Sequence, residues 1–433
     1  MRLKNIFFAA IVISLCFLEL WLFSVGKKQF GIMWSPLIVF LSGLFSGVGF
    51  LVFFYKKEID YPTNKWNWRR TTTALVIVFV GIWKCGDILK NLIKSKPIDF
   101  HDPTGSDVIP QVGILVERFL SGIFPYQLIS TEWTLNYSLY PTYLPLTWMP
   151  FVFPDLLGID YRWMSFAILI LSFFYFFYKT IPWITSLWKV FFIVLIPFLF
   201  LFLLQNDGNI GTFAYSIETL IGGYYLIVAM ALFSKKNWVR GISLSLCLLS
   251  RYSLILWLPV FFYVLFLKEK KSNIFQIGGW IIFSFLVFYI IPFFSQDPTI
   301  FSQGFAYHTK AAMITFSSFP WQKAGELPLM LGNGYGFAIY FYEFMDGTVA
   351  EKLLAYRLTH FVLSCCSALF SIIIFYKIKD QIDYRIFLLG TLKIYLVFFY
   401  NFIQIPFHYL IFPLVFISLP MIGLLIREVK FNR

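Results

Sequence analysis

Apolar runs of about twenty residues recur throughout the 433-residue chain, and no other feature limits its fold as strongly. A helix of about 20 apolar residues is what the hydrocarbon core of a bilayer requires. Hydrophobic residues make up 59% of the chain and charged residues only 13%, which cannot cover a water-soluble surface. The sequence therefore predicts an all-α, polytopic integral membrane protein, with residues 1–433 forming a single transmembrane domain. About twelve runs can be drawn, at roughly 6–24, 32–55, 72–92, 141–157, 160–178, 186–204, 211–233, 241–267, 274–294, 353–376, 384–400 and 403–426.

Lysine and arginine collect in short segments between these runs, and such segments usually remain cytoplasmic. Clusters lie at 56–70, 235–240, 268–271, 377–385 and 427–433. Both termini are therefore expected to be cytoplasmic, in a bacterial-type inner or plasma membrane. Two long stretches, 93–140 and 295–352, are then extracytoplasmic loops. Because the basic clusters alternate with apolar runs, we expect membrane lipids as partners and no nucleic acid.

Strict alternation of twelve spans would place the cluster at 235–240 outside, against this rule. The basic clusters would all face the cytoplasm if two of the twelve runs did not cross the membrane. Run 141–157 carries Pro141, Pro145, Pro150 and Pro154, which remove helix hydrogen bonds. Run 241–267 has basic clusters at both ends and Ser250-Arg251-Tyr252-Ser253 in its middle. Each is expected to enter and leave on one side, which requires a protein-lined cavity around the irregular backbone.

The loop at 93–140 contains Asp107 directly before a helical pattern that begins at Val108. Apolar residues recur there at helical spacing, while Gln111, Glu117, Arg118 and Ser121 fall on the opposite face, so we expect an interfacial helix. Asp107 suits the N-cap position, and a capping carboxylate can also act as a general base if one oxygen is free. Asp102 and Asp99 are rival carboxylates, so the choice of base stays open.

Downstream motifs carry a family resemblance. Gly122-Ile123-Phe124-Pro125-Tyr126 is followed by Tyr140-Pro141, and together with Asp107 this order resembles the glycosyltransferase-C superfamily. Within it, the chain looks most like the polyprenyl-phosphate-sugar-dependent glycosyltransferase family 87. Ser250-Arg251-Tyr252 with Pro259 looks like the intramembrane Lys-x-x-Pro segment of that family, with Arg in place of Lys and the Pro displaced. The segment Gln205–Asn209 is similar to the Gly-Gln-x-Asn outer turn of that family. Thr142, which follows Tyr140-Pro141, stands where a second Pro is usual.

The resemblance covers roughly residues 85–265. It implies a glycosyltransferase-C-like fold and an inverting hexosyl- or pentosyltransferase with its active site on the extracytoplasmic face. The donor would be a polyprenyl-phosphate-linked sugar, and the acceptor a hydroxyl of a lipid or glycan.

Such a transfer needs one carboxylate to take the acceptor proton and cations to receive the leaving phosphate. The candidate catalytic residues are Asp107 and Asp102. Each candidate cation can also be a snorkelling or structurally paired charge, with Glu19 and Glu218 as candidate buried partners. The candidates for the donor phosphate are Arg251, Arg357, His360, Lys393 and His408. The candidates for substrate contact are Tyr126, Tyr137, Tyr140 and Gln404.

Asp99, His101 and Asp102 have side chains that can bind a divalent ion, but their spacing is a weak signal, and we expect neither a metal nor another cofactor. Two other functions stay open. One is a transporter or flippase of lipid-linked glycans, although the internal repeats typical of transporters are missing. The other is a glycan polymerase or ligase.

Overall fold

The computed structural model describes residues 2–25, 30–59, 67–102, 106–130, 138–184, 186–206, 210–317, 327–328, 331, 334–404 and 407–429. Its helices are α1 (Arg2–Val25), α2 (Gly31–Phe54), α3 (Trp68–Ser95), α4 (Val108–Leu120), α5 (Pro145–Trp148), α6 (Val152–Leu156), α7 (Tyr161–Thr180), α8 (Leu187–Asn206), α9 (Ile210–Tyr215), α10 (Glu218–Ala231), α11 (Asn237–Leu248), α12 (Leu258–Lys268), α13 (Lys271–Phe285, extended by a π-helix at Leu286–Phe294), α14 (Ile300–Thr315), α15 (Ala338–Phe344), α16 (Val349–Ile378), α17 (Tyr384–Asn401) and α18 (Phe412–Glu428). Short 3₁₀ turns lie at Met149–Phe151, Ile181–Trp183, Tyr252–Leu254 and His408–Ile411.

The all-α, multi-pass membrane architecture is confirmed. Within the described residues, β-pairing is limited to two isolated bridges. Large apolar side chains point outward, as with Phe79, Trp188 and Phe275, which are 72%, 72% and 78% exposed. Lipid, and not water, suits such a surface. Eight described helices are long and apolar enough to span: Lys4–Phe23, Gly31–Phe54, Trp68–Ser95, Tyr161–Trp183, Leu187–Gln205, Lys271–Phe294, Val349–Ile378 and Tyr409–Glu428.

The remaining four apolar runs are shorter or interrupted. Run 384–400 forms the 18-residue α17, and 211–233 divides into the short helices α9 and α10. Run 141–157 divides into α5, a 3₁₀ turn and α6 because its prolines interrupt the hydrogen-bond pattern, so it forms no spanning helix.

Run 241–267 forms a helical hairpin. Helix α11 ends at Leu248, Arg251 lies in extended backbone, and α12 begins at Leu258. The start of α11 meets the end of α12, because Arg240 contacts the Glu269 carboxylate at 2.5 Å. The hairpin therefore enters and leaves at one end of the bundle, as the re-entrant interpretation predicts. Its tip lies deep in the protein, where Leu146 N–H donates to Leu249 O at 3.0 Å.

Contacts also show which loops share an end of the bundle. At one end, Lys56 N–H donates to Gln381 O at 2.6 Å, Lys268 binds Asp380 at 2.9 Å and Lys189 binds Arg427 O at 2.6 Å. We call this the basic end, made of residues 55–57, 184, 186–189, 235–240, 268–273, 380–385 and 427–429. Every described basic cluster of the sequence reaches it.

The opposite end, here called the loop end, gathers both long loops. Arg162 donates to Lys96 O at 2.7 Å, Ser106 donates to Tyr215 O at 3.0 Å and Tyr335 donates to Leu22 O at 2.6 Å. The described residues of 96–160 and 295–348 thus cover the same end. This matches the predicted separation of basic segments from long loops.

Helix α4 differs from the interfacial helix expected in 93–140. Of its thirteen residues only Glu117, Phe119 and Leu120 are exposed. Part of the predicted polar face is covered by protein, since Gln111 is 4% and Arg118 7% exposed, while Glu117 and Ser121 are exposed as expected. The expectation that Gln111 and Arg118 face solvent is wrong. The second loop helps to cover the helix, because Tyr307 of α14 packs against the small cluster that includes Ile114.

Candidate functional site

Asp107 stands directly before α4 with helical backbone angles, φ −81° and ψ −7°. Its carboxylate makes no capping hydrogen bond to α4, so the prediction that Asp107 caps this helix with its side chain is wrong. Ser106 takes that role, accepting from the Val108 N–H at 3.3 Å. Burial raises the pKa of Asp107 above its ordinary range. A partly buried carboxylate that is not spent on the helix amides is suited to take up a proton.

Tyr143 lies among charged and polar groups from several parts of the chain. Burial raises the pKa of Tyr143 well above its usual value, and the nearby Tyr409 and Asp107 raise it further. The Glu218 carboxylate acts in the same direction and the Arg251 guanidinium opposes it. Five polar groups from distant parts of the chain therefore lie around one place at the loop end. We call the group Asp107, Tyr143, Glu218, Arg251 and Tyr409 the acidic-loop cluster.

Arg251 and Glu218 form an ion pair within this cluster. The Glu218 side chain is 2% exposed and that of Arg251 18% exposed. The expectation that Glu218 is a buried partner of an intramembrane cation is confirmed. A guanidinium has five N–H donors, so the pairing leaves Arg251 able to bind a further oxyanion.

A hydroxyl network fixes the backbone beside Arg251. Ser253 Oγ is hydrogen-bonded to the Tyr225 hydroxyl and accepts from the Tyr400 hydroxyl at 3.0 Å. The Tyr395 hydroxyl donates to Ser253 O at 2.5 Å, and Thr147 Oγ1 donates to Ser250 O at 2.8 Å. The hairpin tip is thus held from α10, α17 and α5, so Arg251 is preorganised.

A second cationic group lies at the start of α16. Arg357 Nε donates to Gln404 Oε1, and the Gln404 amide is hydrogen-bonded to Nδ1 of His308. Burial and then the Arg357 charge lower the pKa of His308 to about 4. Nη2 of Arg357 and Nε2 of His360 are buried and have no hydrogen-bond partner among the described residues. Arg357, His360 and Gln404 therefore lie together, as the sequence suggested, with His308 added.

The last turn of α17 connects the two groups. The Phe399 ring packs edge-on against His360 with centroids 4.6 Å apart, and the next residue, Tyr400, bonds to Ser253. Cationic side chains from α16 and from the hairpin tip thus border the same helix end.

Lys393 lies elsewhere. Its side chain is fully buried, and Nζ donates to Glu19 at 2.5 Å, Leu414 O at 2.8 Å and Ser418 Oγ at 3.0 Å. An ammonium group has three donors, and all three are used. The expected donor-phosphate contact from Lys393 is therefore replaced by a structural ion pair with Glu19.

The remaining candidates divide into exposed and undescribed residues. Asp99 and Asp102 are exposed, and Asp99 Oδ1 accepts from the His101 N–H at 2.9 Å in a local turn. Within the described residues no three His, Cys, Asp or Glu side chains are placed to hold a metal ion. Tyr137, the side chain of His408 and residues 207–209 of the Gln205–Asn209 motif lie outside the described part of the structure.

A groove opens at the loop end near the C-terminus of α4, with a cavity volume of about 640 Å³. Tyr126 and Tyr140 both line it. The Tyr126 hydroxyl donates to Tyr143 O at 2.9 Å and accepts from Trp148 Nε1 at 3.1 Å, so it is committed to the fold. The Tyr140 hydroxyl is buried and has no hydrogen-bond partner among the described residues.

Sequence reasoning missed Arg118. Its guanidinium donates to Pro125 O at 3.0 Å, Gln127 O at 2.6 Å and Leu128 O at 3.1 Å, and so shapes one wall of the groove. It also missed Gln111, whose buried Nε2 has no partner among the described residues and which lies one turn after Asp107. The sequence pattern of a polar residue on a helix face is the same whether water or protein covers that residue.

Comparisons with protein-family models, with curated proteins and with solved structures found no match to this chain.

Proposed function

We propose that the protein is an inverting membrane glycosyltransferase that moves a sugar from a polyprenyl-phosphate-linked donor to an acceptor hydroxyl on the extracytoplasmic face, with Asp107 as the general base. The observation that carries the proposal is the Asp107 carboxylate, which is partly buried, makes no cap bond to its helix and, like the Arg251–Glu218 pair, acts on Tyr143. The motif order that resembles the glycosyltransferase-C superfamily supports the same conclusion.

The charges fit this chemistry. A single displacement at the sugar carbon needs one base for the acceptor hydroxyl, and the phosphate departs as a stable anion without an acid partner. A glycosidase would instead need two facing carboxylates. Glu218 is not a second acid for such a reaction because Arg251 pairs with it. The exposed Asp99 and Asp102 lie outside the acidic-loop cluster, so we assign the base to Asp107 and not to Asp102.

The leaving phosphate is assigned to Arg251, Arg357 and His360. Arg357 and His360 have buried donor atoms without a partner among the described residues, and Arg251 keeps donors beyond its ion pair. The polyprenyl chain would leave along the lipid-facing side of α16, where Leu354, Leu358 and Phe361 are 58%, 56% and 58% exposed. These charged groups would bind the phosphate of the donor, while its apolar chain lies in the lipid.

The basic end is assigned to the cytoplasm by the positive-inside rule. Both termini are then cytoplasmic, and the acidic-loop cluster opens to the outside. The reaction needs no nucleotide there, because the lipid phosphate itself is the leaving group. No metal or other cofactor enters this mechanism.

The test uses the purified full chain in nanodiscs with radiolabelled polyprenyl-phosphate sugars and a panel of lipid and glycan acceptors. Asp107→Asn should abolish transfer, while the matched variants Asp99→Asn and Asp102→Asn should retain it. Transfer by Asp107→Asn would remove Asp107 as the base. Absence of transfer by the wild-type chain with every donor, together with movement of a lipid-linked glycan across vesicles, would favour a transporter.

A further inference from the structure

The groove near the C-terminus of α4 has features of a binding site that the base and the phosphate-binding cations do not use. Its volume of about 640 Å³ is that of a pocket for a small ligand. Its lining combines three aromatic rings with three amides: Phe124, Tyr126, Tyr140, Gln127, Gln296 and Gln303. Asp297 is the one charged residue among the described lining residues.

The walls of the groove are held in place by the protein itself. Arg118 binds three backbone carbonyls of the first wall. Ile129 and Leu139 exchange backbone hydrogen bonds of 2.8 and 2.9 Å and join this wall to the Tyr140 segment. On the other wall, Asp297 Oδ1 accepts from the Thr299 N–H at 2.8 Å at the start of α14. A groove fixed in this way loses little entropy when a ligand binds.

Tyr140 supplies the feature that points to a ligand. The residue is 7% exposed, and its hydroxyl finds no partner among the described residues. Burial, followed by the charge of Asp297, raises the pKa of Tyr140 to about 12, so the hydroxyl is a proton donor at neutral pH. Buried hydroxyl groups are nearly always hydrogen-bonded, and an acceptor atom of a ligand in the groove would satisfy this one.

The lining chemistry selects the kind of ligand. Amide side chains offer both donors and acceptors, which suits a ligand covered with hydroxyl groups. Aromatic faces suit its C–H surfaces. None of the described lining residues is Lys, Arg or His, and their single charge is the carboxylate of Asp297, so this lining favours a neutral ligand over an anion. The three glutamine amides of the lining would find no hydrogen-bond partner on a hydrocarbon chain, so this lining does not suit such a ligand.

Two elements connect the groove with Asp107. Gln303 lines the groove, and Tyr307, one turn further along the same face of α14, has its pKa raised by burial and by the Asp107 charge. Four helical residues span about 6 Å. Tyr140 is likewise three residues from Tyr143, which is about 10 Å in extended chain. Tyr307 and Tyr143, on which the Asp107 charge acts, therefore link the groove to the carboxylate.

We propose that this groove binds a neutral oligosaccharide, whose hydroxyl group it presents to Asp107. The identification of the saccharide as the acceptor rests on the proposed function, whereas the binding itself does not.

Binding is measured on the full chain in nanodiscs by saturation-transfer NMR and by titration. The probes are neutral tetrasaccharides of glucose, galactose and mannose, with a uronic-acid tetrasaccharide as the anionic comparison. At least one neutral probe should bind. Tyr140→Phe and Gln303→Ala should each weaken its binding about fivefold to tenfold, the effect of one lost hydrogen bond. Tyr376→Phe, which changes an exposed tyrosine of α16, is the matched control and should bind as the wild type does.

Three results would overturn the proposal: no neutral probe binding at millimolar concentration, unchanged affinity in Tyr140→Phe, or tighter binding of the uronic-acid probe. Asp107→Asn separates this proposal from the proposed function, since it should still bind the saccharide while losing transfer. Saccharide binding with transfer retained in Asp107→Asn would leave the groove standing and refute the base. Loss of transfer in Asp107→Asn, together with no saccharide binding by the wild-type chain, would refute the groove and leave the base standing.

Discussion

The Glu19–Lys393 pair allows a quantitative test of the distinction between a structural charge and a phosphate-binding one. Both side chains are fully buried, with Nζ and Oε2 2.5 Å apart. The surroundings are tightly packed, because a Cβ placed on Gly43 would lie 3.0 Å from Glu19 Oε1. Water has little room there to solvate a charge that lost its partner. Lys393→Met keeps the apolar stem of the side chain and leaves the Glu19 carboxylate without its cation.

The expected loss is about 3 to 5 kcal/mol, since removal of one member of a buried pair leaves an uncompensated charge. The loss is measured as a decrease in the free energy of unfolding. The double variant Glu19→Leu/Lys393→Met replaces both charges by apolar groups and should recover most of it.

The assay is denaturant unfolding in mixed micelles, followed by a transfer or saccharide-binding measurement on the double variant. Binding should survive in the double variant, because the pair contacts neither the acidic-loop cluster nor the groove. A stability change below about 1 kcal/mol in Lys393→Met would show that the pair is not a buried ion pair of the kind described. A double variant that is stable but fails to bind the lipid-phosphate donor would return Lys393 to the phosphate site.

Two further predictions concern the site itself. Arg357→Ala should raise the KM for a polyprenyl-phosphate sugar about tenfold or more, as expected for loss of a hydrogen bond from a charged donor. The control Lys352→Ala, on the same helix, should leave this KM unchanged. Equal KM values in the two variants would dismiss the phosphate contact. Burial raises the pKa of Asp107, so the folded state binds this proton more tightly than the unfolded chain does. Wild type and Asp107→Asn should therefore be equally stable at pH values below the unfolded pKa. Wild type should become the less stable of the two as pH rises through the folded pKa. Thermal unfolding across pH 4 to 8 checks this, and a stability difference that shrinks with rising pH would contradict it.

Uninterrupted apolar runs could be predicted from the sequence because a spanning helix satisfies its own backbone and needs only length and apolarity. The hairpin could also be predicted, since basic residues bracket 241–267 and Arg251 interrupts it. Run 141–157 passed the same length criterion, and only its prolines hinted at the short helices that the structure contains.

Burial of charges was harder to predict, because it depends on partners far away in sequence. Lys393 and Arg357 look alike as cations in apolar helices, yet Lys393 meets Glu19, 374 positions away, while Arg357 meets Gln404. The same limit applies to α4, where Gln111 and Arg118 indicated water but are buried, Arg118 against backbone carbonyls of residues 125–128. Asp107 could be selected from its position before α4, but its freedom from capping depends on Ser106.

The hydrogen bonds at the hairpin tip have a consequence for biogenesis. Open carbonyls at Leu249 and Ser250 are costly in lipid, and Leu146 and Thr147 are the groups that satisfy them. These two residues lie about a hundred positions earlier in the chain and therefore leave the ribosome first. The hairpin thus inserts after the segment that binds its tip has been synthesised. A truncation that removed Leu146 and Thr147 would leave the carbonyl groups of Leu249 and Ser250 without their hydrogen-bond donors during translation.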